Sequence, residues 1–209
     1  MNVSIKDRAI FRPKTNDELR KAVKCWIADQ GGAKKRYGPI KLWDTSLITD
    51  MSYLFQGAES FNEPIGLWDT RNVTNMYRTF AGAKTFNREL HLWDTGNVAN
   101  MSFMFAGATA FNQKLHLWNT GKATDMSFMF YRATSFNQPI GSWDTGNAMN
   151  MCGMFSEAKS FNQPIGSWNT SNVRYMFNMF LGATSFDQSI DSWDKRNVRC
   201  ASRMFRGEK

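Results

Sequence analysis

The 209-residue chain has only two histidines and three cysteines, and no apolar run near the roughly 18 residues a membrane-spanning helix requires. Each shortage excludes something. His91 and His116 hold the same place in adjacent 25-residue units, but zinc needs further ligands, and Gly66 and Gly141 at that place in the flanking units offer none. No metal site is expected. Cys25, Cys152 and Cys200 are odd in number and lack CxxC spacing, so they read as incidental thiols and not as a disulfide framework. Met1 to Pro13 has no apolar h-region, which reads as a chain without a signal peptide, intracellular on sequence alone. There is no Gly-rich phosphate loop, Ser-His-Asp set or zinc spacing. The expectation is a chain that is not an enzyme, with no catalytic residue and no cofactor. Leu, Ile and Val are also few; 17 Phe, 13 Met and 8 Trp supply much of the apolar content.

Those aromatic residues are not scattered. Trp43, Trp68, Trp93, Trp118, Trp143, Trp168 and Trp193 fall 25 residues apart without a slip. A fixed period between roughly 20 and 50 residues marks a repeat architecture. Asp or Asn follows every Trp, from Asp44 to Asp194, and Thr follows in all units but the last, which has Lys195. Five residues after Trp stands Ile, Val or Ala, and eight after stands Met in six units, Met51 to Met176. Twelve after stands Phe in all seven, Phe55 to Phe205, and fifteen after stands Ala in six, Ala58 to Ala183. Phe-Asn-Gln or a close variant closes the unit, as in Phe111-Asn112-Gln113.

Val98, Met101, Met104, Phe105 and Ala108 follow helical spacing, with Asn97 placed to cap the start and Gly107 to stop the end. The pattern predicts one short helix per unit. Ile65-Gly66-Leu67-Trp68 and its equivalents read as a short, irregular extended segment. One such segment and one helix per unit predict an α/β fold, a curved solenoid of seven repeats over residues 37–209. Strands would line its inner face, because packed helices need more room than paired strands. Recurring Asn62, Asn87, Asn112, Asn137 and Asn162 predict a hydrogen-bonded ladder.

Residues 1–36 fall outside the repeat. Thr15-Asn16-Asp17-Glu18 is a capping box, and Leu19, Val23, Trp26 and Ile27 form one apolar stripe before Gly31-Gly32. The expectation is a basic helical cap over the first coil. Residues 1–41 hold eleven Lys and Arg against four Asp and Glu, and residues 191–209 hold six against three. The 149 residues between hold nine against eleven, so the net charge of +8 belongs to the two ends.

The units, most plainly Phe161 to Met179, resemble the BspA-like leucine-rich-repeat surface proteins, whose 25-residue repeat is also described as a mycoplasma lipoprotein domain of unknown function. The likeness spans about residues 37–206, and Thr15–Asp29 with Tyr37–Ser46 is similar to the segment preceding the repeats in algal members. The resemblance implies a non-enzymatic solenoid that binds proteins or cell surfaces, at the surface or secreted, with no catalytic residue to carry over.

Within such an array, specificity belongs to the variable columns. The place before Trp reads Leu42, Leu67, Leu92, Leu117, then Ser142, Ser167, Ser192. The tenth place after Trp reads Tyr53, Arg78, Phe103, Phe128, Gly153, Asn178, Arg203, and on the expected helix it points outward. The apolar members are candidate protein-binding residues. Lys34, Lys35 and Arg36, with Arg199, Arg203 and Arg206, form basic ends suited to an acidic protein, nucleic acid or an anionic surface. The terminal Met204-Phe205 pair predicts an open apolar end, shielded by those arginines or by a partner or second copy. The expected function is a protein-interaction module; the alternative is a structural subunit docked through its basic ends.

Overall fold

The computed structural model describes residues 10–204. It opens with two helices, α1 (Asn16–Ala28) and α2 (Gln30–Tyr37), followed by a single 3₁₀ turn at Ile40–Leu42. The helix is capped much as expected: the Thr15 hydroxyl accepts the Glu18 amide at 3.1 Å, while the Glu18 carboxylate reaches one residue past the cap and accepts the Lys14 amide at 2.7 Å. Leu19, Ala22, Val23 and Trp26 make the buried face, whereas Ile27 is exposed. Gly31 and Gly32 do not stop α1. Asp29 breaks the chain and caps α2, accepting the Gly32 amide at 3.0 Å. A Cβ on Gly32 would press on that carboxylate and make its side chain shift.

From Trp43 onward the chain winds into seven stacked coils of one repeat each, but without the strand and helix expected in each unit. Among the described residues the only helices are those before Trp43, and the only β pairing is one parallel bridge per junction, from Asp50 with Asn75 to Tyr175 with Cys200. The α/β reading is therefore overturned, and with it the inner strands and outer helices that would have curved the array.

Backbone hydrogen bonding shows why. In coil one, the Leu54, Gln56 and Ala58 amides close turns onto the carbonyls three residues back. The alternate amides of Met51, Tyr53, Phe55 and Gly57 donate instead to Asn75, Tyr77, Thr79 and Ala81 of coil two at 2.7–2.9 Å. An α-helix would spend all these donors along its own axis and leave none to join the coils. The chain avoids it by entering the left-handed region twice per unit. The tenth residue after Trp does so at Tyr53, Arg78, Phe103 and Phe128, with φ of 54° to 60°. The fourteenth does so at Gly57, Gly82 and Gly107, with φ of 70° to 75°. Gly107 is thus a left-handed turn residue and not a helix stop. Turns of three residues place Val98, Met101, Met104 and Ala108 inside as well as a helix would, so spacing alone does not separate the two. Asn97 caps nothing; its amide donates to the Arg71 carbonyl of the preceding coil. The segment Ile65–Trp68 is likewise a turn, closed by the Trp68 amide on the Ile65 carbonyl at 3.1 Å.

The core is a set of side-chain columns. Phe80, Phe105, Phe130 and Phe155 stack at 5.4–5.7 Å, each face to face with the Phe that closes its own unit, at 3.9–4.2 Å. Every indole N–H from Trp68 to Trp193 donates to a carbonyl of the preceding coil, Ile40 through Ile165, at 2.9–3.1 Å. The Asn ladder forms as expected. Asn62, Asn87, Asn112 and Asn137 each accept the amide of the Asn one coil on, and Asn162 accepts that of Asp187. Gln113, Gln138, Gln163 and Gln188 donate to the same oxygens.

The first coil is sealed by the N-terminal segment. Phe11, Trp26 and Tyr37 surround Trp43 with ring centroids at 5.1, 5.8 and 5.9 Å. Arg12 pairs with Asp44 at 3.2 Å and Arg20 with Asp50 at 3.1 Å. Met204 at the other end is buried, at 4% exposure; Phe205 and Arg206 lie outside the described residues.

Candidate interaction surface

The stacked coils carry the column before Trp to the surface. Trp is drawn inward by its column, so the residue preceding it faces out, and Leu42, Leu67, Leu92 and Leu117 are 51%, 72%, 60% and 64% exposed. Leu67 and Leu92 line the same grooves, and the neighbouring tryptophans repeat at 6.0 Å between Trp43 and Trp68 and at 6.5 Å between Trp118 and Trp143. Four large apolar side chains thus form one ridge across four coils. The ridge ends where Ser replaces Leu. The Ser142, Ser167 and Ser192 hydroxyls turn back onto the carbonyls of His116, Gly141 and Gly166 of the preceding coils.

One flank of the ridge is cationic. Lys41, Arg88, His91, Lys114 and His116 line the grooves beside it, with Glu89 the carboxylate among them, 3.6 Å from His91 Nδ1. The other flank is the Asp column. Asp44 is held below the usual carboxylate range by hydrogen bonds from Ser46 and then by Arg12. Asp69 is paired with Arg71 at 2.9 Å, and Asp94 accepts the Gly96 amide at 2.9 Å. These aspartates are committed to local turns.

The tenth-place residues form a second cluster. Phe103 and Phe128 stack at 4.8 Å and 15°, half-buried, and Tyr53 packs edge-on against Tyr77 at 5.0 Å. Arg78 bridges the two pairs, its guanidinium 5.3 Å from the Tyr77 ring centre and 4.8 Å from that of Phe103. Phe128 lies over Gly153, where a Cβ would collide with its ring. Phe103 and Phe128 therefore cover one face of each other, while Tyr53 remains 51% exposed. Sequence reading missed Tyr77 and Phe177, which break a column of small residues one place earlier, although that departure from Ser was there to be read.

The basic residues divide. Lys34, Lys35 and Arg36 occupy the last turn of α2, where cations suit the helix dipole. Arg199 and Arg203 are exposed on coil seven, and Arg206 lies outside the described residues. Among the described residues no group of three His, Cys, Asp or Glu side chains is placed to hold a metal ion, and no helix is long and apolar enough to cross a membrane.

The family described as mycoplasma proteins of unknown function, DUF285, matches the chain twice, over residues 29–136 and 113–209. The chain belongs to that family. The two DUF285 matches overlap across residues 113–136, as suits a chain whose coils are interchangeable in register. The DUF285 assignment establishes the mycoplasma-type repeat, and the hydrogen-bond columns above describe how it stacks here. No curated protein and no solved structure matches the chain.

Proposed function

We propose that the chain is a non-enzymatic, solenoid-like module that binds a protein partner through the leucine ridge of its first four coils. The observation that carries this reading is the exposure of Leu42, Leu67, Leu92 and Leu117 in one unbroken column on a ladder-bonded scaffold. Scattered exposed leucines need no explanation, whereas a contiguous apolar row on a soluble surface does. The resemblance to BspA-like leucine-rich-repeat surface proteins supports the same use, as a scaffold or surface component.

The test replaces Leu42, Leu67, Leu92 and Leu117 with Ser, the residue the same column uses in coils five to seven. Affinity capture from the source organism should then lose the partner while the melting temperature stays within about 2 °C of the parent, as surface changes allow. Unchanged capture would count against the reading. The second reading, a structural subunit docked through its basic ends, is favoured by Lys34, Lys35 and Arg36, which make no ion pair among the described residues. Salt-sensitive capture that survives the leucine replacements but is lost in a Lys34, Lys35 and Arg36 charge-reversal variant would support it.

A further inference from the structure

We infer, resting on the reading of the leucine ridge as the docking surface, that its occupant is an amphipathic α-helix with an acidic flank. Three observations converge. The ridge steps from coil to coil in the same direction as the one-residue parallel bridges, so unpaired backbone edges face the ends of the stack and none is offered along the ridge to a partner strand. An extended segment laid along it would leave its own amides and carbonyls unpaired, whereas a helix satisfies them internally. The period also fits. The tryptophans beside the leucines repeat at 6.0–6.5 Å, close to the ~5.4 Å rise of one helical turn. Over four leucines, a helix of about four turns keeps one apolar residue against each coil.

Charge selects the sign of the partner. Lys41, Arg88 and Lys114 stand along one flank against Glu89. The aspartates on the other flank are held by Arg12, Arg71 and their own turn amides, which leaves them less able to attract a cationic partner. The Ser142 hydroxyl, turned onto the His116 carbonyl, marks the end of the footprint.

The probe is a synthetic peptide of about 18 residues, locked as a helix by side-chain cross-links, with Leu at i, i+4, i+7 and i+11 and Glu beside them. Its counterpart carries Lys in place of Glu. Fluorescence anisotropy with the full chain should show the Glu peptide binding at least about tenfold tighter than the Lys peptide, and losing affinity as salt rises to about 0.3 M. L67S/L92S should abolish binding, and K41E/R88E/K114E should reverse the preference. Equal binding of both peptides, no binding of the Glu peptide, or binding that survives L67S/L92S overturns the inference. Phosphatidylserine-containing vesicles form a further arm; co-sedimentation lost in L67S/L92S, without peptide binding, assigns the ridge to lipid and also overturns it. If partner capture depends on the leucines but the Glu peptide fails to bind, only the helical, acidic identity of the occupant falls. If capture is indifferent to the leucines, the docking reading itself falls.

Discussion

The carboxamide of Asn16 closes a two-bond ring with Thr49, accepting its amide at 3.1 Å and donating to its hydroxyl at 3.2 Å. The same oxygen accepts the Asp50 amide at 3.2 Å. In later coils the equivalent amides, Thr74 and Ala99, donate to the preceding coil's Thr49 and Thr74 carbonyls. Coil one has no preceding coil, and Asn16 stands in for its missing carbonyl. Replacing Asn16 with Ala should cost about 1 kcal/mol, the worth of a lost hydrogen bond at a partly wet site. Asp, which keeps the acceptor, should recover most of it. Hydrogen exchange should show protection lost at Thr49 and Asp50 and retained at Thr124; uniform loss would refute a terminating role.

Trp93 donates its indole N–H to the Ile65 carbonyl at 3.1 Å from a buried position. Phe in its place keeps most of the packed surface but removes one of that carbonyl's two donors, leaving the Trp68 amide. The expected cost is about 1–2 kcal/mol, the worth of one lost hydrogen bond plus the lost volume. Denaturant unfolding would read it, and a cost below about 0.5 kcal/mol would show that the column needs only an aromatic ring.

Gly153 has φ of +57° and sits beneath the Phe128 ring. Ala there should cost about 1–2 kcal/mol for the left-handed backbone alone, and it should displace Phe128 as well. Near-ultraviolet circular dichroism should change along with stability. A purely backbone effect would leave that spectrum unaltered.

Asp50 is partly buried, which works to raise its pKa, but the Ser52 hydroxyl and amide and then Arg20 outweigh burial and leave it lowered. Asp44 is lowered by Ser46 and Arg12. A carboxyl lowered on folding binds its proton more weakly in the folded state. Its contribution is therefore complete above the unfolded value of about 3.9 and is lost as pH falls through the lowered folded value. The chain should lose stability below about pH 4. Arg20→Ala should cost about 0.5–1 kcal/mol at neutral pH and less near pH 2, as Asp50 takes up its proton. Urea titrations at the two pH values test both points, and an equal cost at each would mean that Arg20 acts by packing.

Burial pushes the Cys152 thiol up to about 11, while Cys25 is exposed and Cys200 is partly so. Iodoacetamide at pH 8 should modify Cys25 readily and Cys152 slowest of the three, because the thiolate is the nucleophile. Early labelling at Cys152, read by mass spectrometry, would show that coil five opens.

Much of the core is legible in the residue pattern alone. The Trp, Met, Phe and Ala columns are buried as their period required, and the Asn ladder binds as its recurrence implied. The helix predicted from Val98 to Ala108 was the failure, because three-residue turns and α-helical turns bury the same positions. Tyr53, Phe103 and Phe128 illustrate what that hid. They hold left-handed backbone and not a helix; Tyr53 still faces outward at 51% exposure, while the Phe103 and Phe128 rings are half-buried against each other. Asn16 was readable only as part of a capping box; its second task depends on where α1 lies over coil one.

By itself the sequence determined the repeat, its register, the columns that must be apolar and the row of leucines that interrupts a polar place. Those follow from identity at a fixed spacing, which every unit restates. Only the tertiary structure decided how the backbone between those columns is bonded. An amide can serve its own turn or the next coil equally well in local terms, and the choice is made by the neighbour that offers the carbonyl.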